Sequence, residues 1–193
     1  MSQIRAVVVF CGSQPGRLPA YLEAAQALGA GLAAAGIRLI FGGGQIGMMG
    51  AVADAVLAGG GTVTGVIPDF LTQREMAHPG ASEMIVTDSM HTRKRRMFEL
   101  ADAFIVLPGG LGTLDETFEI ITWRQLGLHH KPVLLCDIAG STRPLVAAME
   151  ATIDDGFARP ETRALYEVVD GVAALLARLA TLSRTPDGTS ARL

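Results

Sequence analysis

Apolar residues fall along the chain in two rhythms. Short unbroken runs such as Val7-Val8-Val9 and Phe104-Ile105-Val106-Leu107 recur between longer alanine- and leucine-rich stretches. The short runs are β-branched or aromatic and lack the length of a helix, so they predict strands at 5–10, 37–41, 62–67, 83–86, 103–107, 132–136 and 167–169. The longer stretches predict helices at 19–35, 47–58, 90–101, 113–126, 143–155 and 171–181, several opened by Pro, Ser, Thr or Gly and closed near a Gly. Strands that alternate with helices read as βα units around a parallel sheet. Runs without polar alternation require cover on both faces of that sheet. The pattern therefore predicts an α/β fold, a doubly wound, Rossmann-like three-layer sandwich on a central parallel sheet of about seven strands.

Length and composition narrow this further. With 193 residues, 49% of them hydrophobic, the chain can bury one sizeable core, so a single domain over 1–182 is expected. From Ser183 onward periodicity is lost and Ser, Thr, Pro and Gly gather, which predicts a disordered tail over 183–193. A net charge of −3 gives no general footprint for nucleic acid or an anionic membrane surface. Any phosphate site must be local. Cys11 and Cys136 lie far apart, and His78, His91, His129 and His130 form no ligand spacing with them, so no disulfide framework, metal or cofactor is expected. The apolar run 6–10 is too short for a signal-peptide core or a membrane span, which predicts a soluble, cytoplasmic protein.

Three strands run into glycine turns: Cys11-Gly12-Ser13-Gln14-Pro15-Gly16, Gly42 to Gly50, and Pro108-Gly109-Gly110-Leu111-Gly112-Thr113. In an open parallel sheet such turns gather at the carboxyl ends of the strands, where ligands bind. The second spells the G-x-G-x-x-G fingerprint of dinucleotide-binding folds, and Asp69 stands near the place of a ribose-binding acid. Against an NAD oxidoreductase, the fingerprint belongs on the first turn, and neither Tyr21 nor Tyr166 has a lysine four residues on. Gly43 and Gly44 are instead expected to let the backbone approach a nucleotide. The third turn, with Gly-Thr at a helix start, is the best phosphate cradle.

Two charged positions stand out. In Met90 to Ala101, helical spacing gathers Met90, Met97, Leu100 and Ala101 on one side, with Arg93 and Lys94 at its edges and Arg95 and Glu99 opposite as an exposed pair. Arg93 is thus aimed at the sheet and is a candidate functional residue. In 113–126, Glu116 shares an apolar stripe with Ile120 and Trp123, at a cost unless the carboxylate is paired or sits in a site. The competing explanation is complementation of the helix dipole from the first turn, which suits Asp115 better than Glu116. This helix is apolar on several sides, which predicts burial against another subunit and hence a homodimer. His91 could orient a substrate or cap its helix. Met48, Met49 and Met97 could line an apolar pocket or lie in the core.

Ser89-Met90-His91-Thr92-Arg93-Lys94 and Pro108-Gly109-Gly110-Leu111-Gly112-Thr113-Leu114-Asp115-Glu116 resemble the paired signatures M-H-x-R-K and P-G-G-x-G-T-x-x-E of the Lonely Guy family. These are cytokinin riboside 5'-monophosphate phosphoribohydrolases. The resemblance covers the chain from Arg5 to about Leu182, leaving out only the tail. It implies a Rossmann-like dimer that cleaves the N-glycosidic bond of a purine riboside monophosphate, AMP included, and releases free base and ribose 5-phosphate. Arg93 and Glu116 carry over as the catalytic pair, and Gly109, Gly110, Leu111, Gly112 and Thr113 as the phosphate cradle. Lys94, Asp115, Glu75 and Thr122 carry over as substrate contacts; many relatives have Glu where this chain has Asp115. The lysine decarboxylase label that the family has carried fits badly, because the only lysines are Lys94 and Lys131. A related alternative is a molybdenum-cofactor carrier on a similar sheet, which would not require the joint presence of Arg93 and Glu116. Chemistry supports the hydrolase independently: a carboxylate suits an oxocarbenium-like sugar, and a guanidinium, charged at every working pH, suits the departing purine or the anchoring phosphate.

Overall fold

The structure is a computed structural model that describes residues 3–72 and 76–184. In chain order the elements are β1 (Ala6–Phe10), α1 (Pro19–Ala34), β2 (Arg38–Phe41), α2 (Gly47–Ala58), β3 (Val63–Pro68), β4 (Glu83–Thr87), α3 (Met90–Leu100), β5 (Ala103–Val106), α4 (Leu111–Gln125), β6 (Val133–Asp137), α5 (Arg143–Asp154), β7 (Glu167–Asp170) and α6 (Gly171–Thr181). Short 3-10 turns follow β3 at Asp69–Leu71 and precede β7 at Pro160–Leu165. The strands form one parallel sheet in the order β4-β3-β2-β1-β5-β6-β7. The expected α/β sandwich is present with all seven strands.

The strand order reverses between β1 and β5, which pair with Val8 opposite Phe104. Connections leave these two strands toward opposite faces of the sheet, so a crevice opens at their carboxyl ends. β1 is buried along its whole length and feeds both layers. Val7 and Val9 enter the core under α1, α2 and α6, beside Leu28, Val52 and Leu175. Val8 and Phe10 enter the core under α3, α4 and α5, beside Met97, Ile120 and Leu145. Full burial of such side chains contributes about 1.5–3 kcal/mol each. That anchoring makes the end of β1 a rigid base for the crevice.

One boundary changes the chemistry. α4 starts at Leu111, not Thr113, with Gly110 in extended conformation (φ −95°, ψ −158°) as its N-cap. Gly112 lowers helix propensity in the first turn, which hid the start from the sequence pattern. Glu116 therefore sits in the second turn, and no acidic residue occupies the first. Dipole complementation from the first turn accordingly explains neither Asp115 nor Glu116. At the chain's end, Ser183 bridges Gln3, and Arg184 Nε lies 2.8 Å from Asp102 Oδ1. The rest of the expected tail, and Glu75, lie outside the described residues. Among the described residues no helix is long and apolar enough to cross a membrane.

Candidate active site

Arg93 is placed by the start of α3. Ser89 caps that helix, its Oγ accepting the Thr92 N–H at 3.1 Å, and His91 is left exposed with no capping role. One turn in, the Arg93 side chain drops toward the strand ends and is only 6% exposed. Its Nε donates to the Val66 carbonyl of β3 at 3.1 Å, and one terminal nitrogen reaches the Gly42 carbonyl at 3.5 Å. The other lies 3.4 Å from Glu116 Oε1. A Cβ at Gly42 would run into the guanidinium itself. The first glycine of the GGGQIG turn thus makes room for Arg93.

Glu116 reaches the same place from α4 and is 8% exposed. Burying either charge alone would cost several kcal/mol, so each needs the other and its further hydrogen bonds. Cys11, the residue after β1, is buried, and its thiol is pushed up out of its ordinary range by burial and, secondarily, by the negative charge of Glu116.

The glycine turns differ in what their helices offer. The N–H groups of Met48 and Met49, at the start of α2, donate to the Gly12 carbonyl at 3.1 and 3.3 Å. Gly12 in turn donates to the Pro108 carbonyl at 3.0 Å, which ties the first turn to the third. The α2 terminus is therefore closed by protein, whereas a dinucleotide fold presents that terminus to pyrophosphate. α4 differs, since helix geometry leaves the first-turn N–H groups of Leu111, Gly112 and Thr113 without acceptors inside the helix. Thr113 is buried against Gly109, where a Cβ would collide with its hydroxyl. Thr117 Oγ1 donates back to the Thr113 carbonyl, which stiffens this turn.

The remaining expected residues divide. Gly43 (φ +86°) backs onto its own chain, where a Cβ would meet Ile67 at 3.1 Å and Met84 at 3.2 Å, and Gly44 bridges Ala77. Lys94 meets Asp115 at 2.7 Å and Glu119 at 3.4 Å. Partial burial works against its charge, but the two carboxylates outweigh it and hold the ammonium above its ordinary value. Leu111, Asp115 and Thr122 lie on the exposed side of α4. Thr122 stands six residues past Glu116, roughly 9 Å along the axis, and does not join the pair within one chain. Met48 lines a cavity at the crevice, Met49 packs beside Gly42, and Met97 belongs to the core.

That cavity, about 500 Å³, adjoins Gly109 and Gly110 and is completed by a turn the sequence pattern missed, Ile138 to Thr142. Ala139 (φ 54°) and Gly140 (φ 81°) bend this turn back, so that Ser141 and Pro144 face Ser13 and Tyr21 across the opening. Asp137 fastens it, accepting from the Thr142 N–H at 2.8 Å and hydroxyl at 2.7 Å. Partial burial opposes the Asp137 charge, yet these bonds and Arg143 hold its carboxyl below the ordinary value. The available signal was a further glycine-bearing turn between a strand and a helix, but its single glycine did not repeat the pattern of the three glycine-rich turns.

Comparison with known proteins identifies the family. A family described as "possible lysine decarboxylase" matches residues 49–179. A cytokinin riboside 5'-monophosphate phosphoribohydrolase of Rhodococcoides fascians is 44% identical over 176 residues, 91% of this chain and 89% of its own. A protein of the same name from Arabidopsis thaliana is 43% identical over 92% of this chain and 82% of its own. Among solved structures, the molybdenum cofactor carrier protein of Chlamydomonas reinhardtii superposes with a TM-score of 0.69 over 91% of this chain and 95% of that one. Its 22% identity makes it a likeness of fold alone. With the family's pattern running through α2 to α6 and both signatures meeting at one buried Arg–Glu pair, the chain belongs to the cytokinin riboside 5'-monophosphate phosphoribohydrolase (Lonely Guy) family.

Proposed function

We propose that the protein hydrolyses the N-glycosidic bond of purine riboside 5'-monophosphates, both N6-substituted cytokinin forms and AMP, to free base and ribose 5-phosphate. The observation that carries this reading is the buried contact of Arg93 with Glu116, 3.4 Å, one helical turn from the open N-terminus of α4. The 5'-phosphate sits on the N–H groups of residues 110–113, where the helix terminus favours an anion by about 0.3–2 kcal/mol. The adjoining cavity, at about 500 Å³, falls within the ordinary range for small-molecule sites and gives the nucleotide room.

From that anchor the ribose reaches Glu116. As the C1'–N9 bond lengthens, positive charge grows on the sugar and negative charge on the purine. The Glu116 carboxylate stabilises the sugar and orients water, whose oxygen bonds to C1' while its proton is released and the purine gains one. Arg93, held by two backbone carbonyls, keeps Glu116 in place and stabilises charge on the departing base. Asp115, Lys94 and Thr122 contribute substrate contacts through a homodimer in which a second copy covers the outer side of α4.

The test is to incubate the pure protein with AMP and with isopentenyladenosine monophosphate, and to assay ribose 5-phosphate and free base. Release of both products is expected. Glu116→Gln, which keeps the shape and removes the charge, is expected to slow release about 10²-fold or more while AMP still binds. No release from either nucleotide would overturn the proposal in favour of carriage, and wild-type turnover in E116Q would overturn the role of Glu116.

A further inference from the structure

Residues 76–80 cross over the GGGQIG turn. The Gln45 N–H donates to the Met76 carbonyl at 3.0 Å, Gly44 and Ala77 bridge antiparallel, and the His78 N–H donates to the Gly43 carbonyl at 2.8 Å. The His78 side chain, with the residue 7% exposed, meets the Phe41 ring edge-on at 6.1 Å between centroids. The Gly80 N–H donates to His78 Nδ1 at 3.2 Å, so Nδ1 supplies the lone pair and Nε2 carries the proton. That proton goes to Asp54 Oδ1 on α2, 3.0 Å away. One imidazole thus fastens together the last residue of β2, the body of α2 and the strap over the turn.

This fastening ends one peptide from Arg93. Gly43, whose carbonyl holds the His78 N–H, follows Gly42, whose carbonyl accepts from the Arg93 guanidinium at 3.5 Å. Gly43 is left-handed at φ +86°, and neither glycine has a side chain to hold the peptide between them in one orientation. The hydrogen bond from the His78 backbone to the Gly43 carbonyl holds the next peptide, Gly43–Gly44, and so limits the torsions at Gly43 through which the Gly42–Gly43 peptide would turn; the two ring hydrogen bonds keep His78 where it can do so.

We propose that His78 is a positioning residue for Arg93: by pinning the Gly43–Gly44 peptide it restrains the neighbouring Gly42–Gly43 peptide, keeps the Gly42 carbonyl facing the guanidinium, and so keeps Arg93 against Glu116. The inference rests on the reading that Arg93 and Glu116 carry the hydrolysis. Loss of a residue that acts in this way lowers kcat without altering the phosphate anchor, because residues 110–113 belong to the separate start of α4.

His78→Phe keeps a ring against Phe41 and removes both ring hydrogen bonds; His78→Gln keeps an N–H for Asp54. With AMP as substrate, H78F is expected to lower kcat about tenfold at a KM within about twofold of the wild type, and H78Q to recover most of the rate. In an R93A background H78F is expected to bring no further loss, since the group it positions is gone. If H78F does not fold, Asp54→Ala removes the same tie from an exposed helix position and is expected to give the same split between kcat and KM. The Arg93 Nε–H resonance, sheltered by the Val66 carbonyl, reads the same event without turnover: its slow exchange in the wild type is expected to quicken in the variant. An unchanged kcat with a lowered Tm, losses that add to R93A, or an unchanged Nε–H resonance would each overturn the positioning role. A wild type that releases no base overturns the hydrolase reading instead, and leaves the resonance to decide whether His78 holds Arg93.

Discussion

Gly42 and Gly110 look alike in the sequence and are used in opposite ways. A side chain at Gly42 has nowhere to go, because the Arg93 guanidinium and Met49 occupy that space. At Gly110 an added Cβ meets nothing within 4 Å, and its φ of −95° suits any residue. Gly42→Ala is therefore expected to displace Arg93 from the Gly42 carbonyl and from Glu116, with a fall in kcat/KM of at least about tenfold. Gly110→Ala is expected to leave thermal unfolding unchanged. Wild-type turnover in G42A, measured on AMP, would show that Arg93 tolerates another position. The letters GGGQIG could not reveal this use. Its cause is a contact between residues 51 apart in the chain, which only the packing of α3 against the sheet creates.

At the scale of elements, α4 brings together most of what the sequence promised and most of what it hid. Its glycine-bearing start and its inward Glu116 were legible, because glycine at a strand end and a carboxylate on an apolar stripe are both local signals. Its first residue was not, because Gly112 obscured the first turn. Nor was the buried tie behind it. His129 is 4% exposed, bonds the Ile120 carbonyl of α4 through Nε2 at 2.8 Å and accepts the Lys131 N–H on Nδ1 at 3.1 Å. In sequence it was one of two adjacent histidines in a turn. Burial first, with the positive charges of Arg124, Lys131 and His130, pushes this imidazole down to about 4, although the Ile120 carbonyl favours the charged form. An unfolded histidine titrates near 6.5, so between about pH 6.5 and 4 the unfolded chain takes up a proton that the folded chain refuses. Stability is thus full above that window and falls on acidification through it, by up to about 3 kcal/mol. Thermal unfolding followed from pH 7 to 4.5 is expected to drop more steeply in the wild type than in His129→Gln. Parallel slopes would remove His129 from the acid response.

For the whole molecule, the alternation of strands and helices, the cover on both sheet faces and the gathering of glycine turns at the strand ends follow from patterns that each short segment carries by itself, which is why they could be read in advance; the crevice between β1 and β5 rests on strand order, which no segment carries alone. The surface on which the homodimer expectation rests could be read only in part: the sequence shows a helix apolar on several sides, but not which side the sheet consumes. In the fold, α4 spends Ile120 and Ile121 on the core and leaves Leu111, Phe118 and Leu126 exposed at 85%, 40% and 68%. Spacings of seven and eight residues put these three on one stripe, interleaved with Asp115 and Thr122. A stripe of this kind is the natural centre of a self-complementary contact, to which a stable dimer commits about 1,200–2,000 Å² in all. Such a contact would also carry Thr122, too far from Glu116 in its own chain, toward the site of the other. The wild type is therefore expected to sediment as a dimer at tens of micromolar, and the double variant Phe118→Asp/Leu126→Asp as a folded monomer. Because the proposed site draws on the outer side of α4, the monomer is also expected to bind AMP more weakly, with a raised KM. A wild type that sediments as a monomer, or a monomeric variant with unchanged KM, would mean that each chain builds its nucleotide site alone and that the exposed stripe serves some other contact.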